Sequence, residues 1–167
     1  MRKHTVLLAT ALTTGLLTAL PATAATAAPA TGPTADFNGD GYGDLAIGVP
    51  FEDLGATEDA GAAILMNGSA TGVSRTGART VTQNTAGVPG TAEAIDYFGS
   101  DALLADVSKD GHAEFTVTAT FEDEGIGAIT ALRGSSTGPV TDGAHTFGPG
   151  SLAQTRSYGA FGAGLIG

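Results

Sequence analysis

Asp36-Phe37-Asn38-Gly39-Asp40-Gly41-Tyr42-Gly43-Asp44, followed at once by Leu45-Ala46-Ile47-Gly48-Val49-Pro50, decides how this chain is read. Side-chain oxygens fall at loop positions 1, 3, 5 and 9, on Asp36, Asn38, Asp40 and Asp44. That density suits calcium, a hard cation that takes roughly six to eight oxygen ligands. Gly41 at position 6 supplies a sharp turn, and Tyr42 at position 7 would offer its backbone carbonyl, leaving its side chain free. A helix-loop-helix calcium site would need an acid at position 12, where this chain has Ile47. Leu45, Ile47 and Val49 instead alternate with Ala46 and Gly48, so the loop feeds a strand.

The same pattern returns seventy residues later as Asp106-Val107-Ser108-Lys109-Asp110-Gly111-His112-Ala113-Glu114, again leading into an apolar-polar alternation, Phe115-Thr116-Val117-Thr118. Asp106, Ser108, Asp110 and Glu114 are the second set of candidate calcium ligands, with the carbonyl of His112 at position 7. Ser108 is a weaker donor than Asn38, and Lys109 adds a positive charge, so this loop is expected to bind less tightly. The His112 ring is expected to be solvated. The correspondence runs on: Phe51-Glu52-Asp53 recurs as Phe121-Glu122-Asp123, and after a four-residue deletion Gly68-Ser69-Ala70-Thr71-Gly72 recurs as Gly134-Ser135-Ser136-Thr137-Gly138. A fixed period over this much chain means one supersecondary unit used twice.

Phe98-Gly99 ahead of Asp106, Phe161-Gly162 near the end, and Gly48-Val49-Pro50 after the first loop complete a pattern that resembles the FG-GAP repeat of integrin alpha-subunit propellers, also found in secreted bacterial proteins. The resemblance covers essentially residues 36–167. The copies are imperfect, because no Phe-Gly precedes the first loop and Thr118-Ala119-Thr120 replaces the Gly-x-Pro of the second. It implies an all-β fold of four-stranded β-propeller blades, each with structural calcium in a rim loop.

The first residues have a different character. Arg2, Lys3 and His4 precede a short apolar run from Val6 to Leu20, and small residues follow with cleavage sites after Ala24, Ala27 or Ala28. This reads as a secretory signal over residues 1–28, hence a secreted protein. The run is shorter than the roughly 20 apolar residues of a membrane span, so no span is expected after cleavage. The whole chain carries 7 Lys and Arg against 17 Asp and Glu, a formal charge of −10. Losing Arg2 and Lys3 leaves five bases against seventeen acids, or −12. Such an excess argues against nucleic acid or anionic lipid as partners. Six of the acids, Asp36, Asp40, Asp44, Asp106, Asp110 and Glu114, lie in the two loops, where like charges repel unless a cation joins them. There is no cysteine, so packing and metal must hold the fold.

Residues 29–35, with Pro29 and Pro33, form a short extended lead-in. A first repeat covers 36–97 and a second 98–160, and 161–167 begins a third. Strands are expected over 45–49, 62–66 and 79–83 in the first repeat, with a long connection over 84–94. In the second they are expected over 101–105, 114–121, 127–132 and 144–147, with turns at Asp110-Gly111, Asp142-Gly143 and Pro149-Gly150. About two blades are present, whereas propellers close with roughly four to eight. The further blades come either from a longer chain, which the need for stacked and capped repeats favours, or from self-association of complementary ends.

Gly134-Ser135-Ser136-Thr137-Gly138 spells a nucleophile elbow, but Pro139 follows where an elbow needs a helix, and Ala70 stands at the equivalent place in the first copy. It is expected to be a repeated turn. Phe51 and Phe121 are expected to plug the core, each with a solvated acidic pair behind it. The alternative is an acidic rim, with Glu58, Asp59 and Glu124, that meets a partner. The resulting expectation is a non-catalytic calcium-binding module for recognition or adhesion to an extracellular protein or glycan. The alternative is an accessory propeller domain cut from a secreted hydrolase.

Overall fold

The computed structural model describes residues 35–154 and 159–165. The expected signal, nearly all of the lead-in and the last two residues lie outside the described residues. Two antiparallel sheets follow one another along the chain. The first joins β1 (Leu45–Val49), β2 (Ala62–Asn67) and β3 (Ser74–Val81) in the order β1-β2-β3. The second joins β4 (Phe98–Ala105), β5 (Glu114–Ala119), β6 (Ala128–Arg133) and β7 (Val140–Phe147) in sequence order. These are propeller blades of three and four strands; among the described residues β4, the first strand of the second sheet, has no counterpart in the first. No described helix is long and apolar enough to cross a membrane.

Period-2 alternation fixes which side of each sheet is dry. On the inner face of the first sheet, Ala46 pairs with Leu65, and Gly48 with Ala63 and through it Val81. The facing side of the second sheet presents Leu104, Phe115 and Leu132 in one row and Ala102 with Val117 in the next. All these except Gly48 belong to one apolar cluster, with Phe98, Phe115, Val117, Leu65 and Leu132 essentially inaccessible to water. The opposite face of the first sheet carries Leu45, Ile47 and Val49, of which Leu45 is 41% and Ile47 39% exposed.

The blades meet at a joint built on glycine. The Phe98 amide donates to the Ala60 carbonyl at 3.0 Å, and Gly61 bridges Phe98 in parallel. A Cβ on Gly99 would lie 2.1 Å from the Ala62 carbonyl oxygen, and one on Gly48 would lie 1.9 Å from the Gly99 carbonyl oxygen. The joint recurs at the far side of the second sheet. There the Phe161 amide donates to the Ile126 carbonyl at 2.9 Å, and a Cβ on Gly127 would meet the Phe161 backbone at 2.5 Å. The left-handed conformations repeat as well: Tyr97, Gly99 and Gly61 have φ of 56°, 92° and 88°, and Ala160, Gly162 and Gly127 have 45°, 89° and 87°.

Several expected boundaries shift for identifiable reasons. Gly143, read as a turn, lies inside β7, and Gly77 lies inside β3, with φ of 76° and 79°. Each sits where the register slips, Gly143 opposite Ala131 to Arg133 and Gly77 opposite Leu65 to Asn67. At each slip the last strand takes five steps against two on its partner, so three extra residues are accommodated without ending the strand, and glycine accepts the conformation. The last strand of each blade therefore starts earlier than expected. β3 ends at Val81 rather than 83, because the Thr82 amide turns to the Thr85 hydroxyl at 2.9 Å. β5 ends at Ala119, and a tight turn over Glu122–Gly125 follows, with Asp123 and Glu124 left-handed. The repeated pentapeptides adopt one turn: Ser69 Oγ donates to the Gly72 carbonyl at 2.6 Å, and Ser135 Oγ to that of Gly138 at 2.7 Å.

Candidate metal centre

Each Asp-rich loop closes on its own amides. In the first, Asp36 is buried; its Oδ1 accepts from the Gly39 amide at 2.6 Å and the Asp40 amide at 3.2 Å, and its Oδ2 from Gly41 at 2.8 Å. Half-buried Asn38 accepts from the Asp40 amide at 2.9 Å, and its Nδ2 donates to Asp40 Oδ2 at 3.1 Å. Asp40 Oδ1 accepts from the Tyr42 amide at 2.9 Å. Buried Asp44 ties the loop to the blade, accepting from the Phe37 amide at 2.8 Å and, across the hairpin, from Gly68 at 2.7 Å. Burial pushes the Asp44 carboxyl above the ordinary range; the charges of Asp36 and Asp40 add to this, and the two amides oppose it.

The second loop repeats the plan. Asp106 accepts from the amides of Asp110 and Gly111, both at 3.1 Å, and Asp110 from His112 at 2.9 Å. Glu114 takes the part of Asp44, and its Oε2 accepts from Val107 at 2.7 Å and Ser108 at 3.2 Å. The loop is more open than the first: Phe37 is 1% exposed, whereas Val107 at the same position is 75% exposed. The Ala113 amide donates to the Asp36 carbonyl at 2.7 Å and draws the two loops together. His112 is consequently half-buried rather than solvated. Its ring occupies the space above Gly39, where a Cβ would lie 2.5 Å from Cε1, and its Nδ1 is buried with no hydrogen-bond partner among the described residues.

Among the described residues, no group of three or more His, Cys, Asp or Glu side chains stands assembled to hold a metal ion. The donor set nevertheless fits calcium in kind. Every candidate ligand is an oxygen, and a carboxylate oxygen has about two acceptor sites, so most of those holding one amide retain a free site.

Phe51 and Phe121 do not plug the core. Phe51 is 70% exposed and stacks edge-on against Tyr97 at 5.3 Å, and Tyr97 against Phe121 at 5.2 Å. The ladder straddles the joint, because Tyr97 immediately precedes Phe98. Behind it, Gln83 Nε2 donates to Glu122 Oε2, and buried Asp96 faces the same carboxylate. Glu122 is therefore not a solvated partner of Asp123. Burial first, then the charges of Asp96, Asp123 and Glu93, raise Glu122 from 4.5 to about 7, against the bond from Gln83. A carboxyl raised on folding contributes full stability below its unfolded value of 4.5, and loses it as the pH rises through about 7. The full shift corresponds to about 3 kcal/mol, which solvent on the open side reduces to about 1–2 kcal/mol. Glu122→Gln is accordingly expected to raise the thermal midpoint at pH 8 and leave it nearly unchanged at pH 4, as followed by circular dichroism.

A family model for the FG-GAP repeat matches residues 28–66, which span the first loop, β1 and most of β2. Comparison with curated proteins gives no match.

Proposed function

We propose that this chain, whose residues 28–66 match the FG-GAP repeat, is an exported, calcium-stabilised binding module that recognises an extracellular protein or glycan and catalyses no reaction. The observation that carries this reading is the repetition of one oxygen-rich loop, with one amide-bonding plan, ahead of β1 and β5. Asp36, Asn38, Asp40, Asp44 and the Tyr42 carbonyl would hold the ion of the first loop. Asp106, Ser108, Asp110, Glu114 and the His112 carbonyl would hold that of the second. When bound, calcium supplies positive charge that offsets three acids per loop. The chain's own contribution is to keep those acids close, through Asp36 and Asp106 on the loop amides and Asp44 and Glu114 on the amide of position 2.

The test is thermal unfolding of the purified chain with calcium and with excess chelator. An ion at about a hundred times its dissociation constant adds roughly 2.7 kcal/mol, so chelation is expected to lower the midpoint by about 10 °C. Equal midpoints would overturn the calcium assignment. Binding to glycans or cell surfaces that disappears on chelation is the expected companion result, and substrate turnover by the purified chain would contradict the non-catalytic reading.

A further inference from the structure

We propose that a second copy of this chain seats on the exposed outer face of the first sheet, laying its residues 161–165 along the free edge of β1. The interface needed already exists once within the chain. Phe98-Gly99 docks on Gly61 of the first sheet and at the same time opens β4, whose Phe98 pairs with Ala119 of β5. Phe161-Gly162 docks on Gly127 of the second sheet through the same amide bond and the same left-handed glycines. It therefore supplies the preceding-blade half of a joint whose following blade is not among the described residues.

The first sheet supplies the other half. Among the described residues, its edge strand β1 has no partner on the side that β4 occupies in the second sheet. Val49 and Ala62 stand where Ala119 and Ala128 flank buried Phe98, and there the surface opens into a cavity of about 140 Å³ lined by Val49, Leu54, Ala62 and Ile64. Phe161 of a second copy would put its ring in that cavity, and Leu45 and Ile47 would be covered by the outer face of that copy's second sheet. The loops match in the same sense. Phe37 is buried with its carbonyl, like that of Ala113, packed against Gly134, while Val107 lies open at 75%. Gly43 and Gly68 of the next copy would occupy the places of Ala113 and Gly134 above it.

Strand addition to a free sheet edge is a general mode of recognition, and an unpaired edge beside apolar surface invites it. The two halves lie on different surfaces, so the contact is head-to-tail and repeats until a ring closes. The assignment rests on packing and does not depend on whether the loops bind calcium.

Multi-angle light scattering of the purified chain over a wide concentration range tests it. The expected result is a mass of several protomers that falls on dilution. Ile47→Asp spoils the receiving face at an already exposed position, and Phe161→Ser spoils the inserting segment. Each alone is expected to remain monomeric, with an unchanged β-sheet circular dichroism spectrum. Mixed, they are expected to form a one-to-one complex, since each retains the half the other lacks. A wild-type monomer at every concentration would overturn the proposal. So would an assembly that survives both substitutions, or two variants that assemble alone but form no mixed pair.

Discussion

Gly99→Ala is expected to lower the stability of the chain by about 4 kcal/mol in urea unfolding. Two effects add. An alanine at φ 92° is strained by roughly 1–2 kcal/mol, because its Cβ crowds its own carbonyl. That Cβ would also lie 2.1 Å from the Ala62 carbonyl oxygen and 3.0 Å from the Val49 amide nitrogen. Both are backbone atoms of a paired sheet and cannot rotate away, so the joint must open, and overpacking of this kind costs roughly 1–3 kcal/mol or more. Gly111→Ala separates the two effects. Gly111 has φ 88° but nothing within 4 Å of its Cβ position, so it is expected to lose only the conformational part. Equal losses at both positions would show that the joint is not close-packed. Against a total of about 5–15 kcal/mol, the loss at Gly99 should leave a marginal fold.

Asp36→Ala carries the second large effect, about 3 kcal/mol or a fall of roughly 10 °C in thermal midpoint. The Asp36 carboxylate accepts three loop amides and is buried beside Phe37, which is 1% exposed. Bonds to a charged acceptor contribute roughly 1.5–3 kcal/mol each at best, and the freed amides of Gly39, Asp40 and Gly41 recover part of this by meeting water. Asp106→Ala is expected to cost about 1 kcal/mol, since Asp106 accepts two amides at 3.1 Å in an open loop. Measuring both variants with chelator present isolates these bonds from any bound ion. A loss at Asp36 no larger than that at Asp106 would show that burial of the first loop adds nothing.

Local features were legible in the sequence and distant ones were not. The Leu45–Val49 strand lies where its alternation places it, and the two Gly-Ser-x-Thr-Gly turns share one hydrogen-bond plan, because both depend on residues within a few positions of each other. Asp142-Gly143 looks like a turn for the same local reason. It becomes a bulge only because Arg133 and Val140 pair across it, which the dipeptide does not encode. Phe51 looks like core, being apolar at a strand end; its ring instead meets Tyr97, forty-six positions on, at the seam between blades. The same holds for Gln83 with Glu122, and for His112 above Gly39, both made by the stacking of one sheet on the next. Within the loops, the alternating oxygens were readable, but not that burial would distinguish Phe37 from Val107. That difference depends on the second loop, whose Ala113 amide bonds the Asp36 carbonyl beside Phe37.

Calcium titration of the isotopically labelled chain, followed by the backbone amides of Gly41 and Gly111, tests the central claim most directly. Both signals are expected to move and saturate, Gly41 at the lower calcium concentration, while the joint amides of Gly61 and Gly99 stay in place. Amides of Gly41 and Gly111 that do not respond to the ion would contradict it.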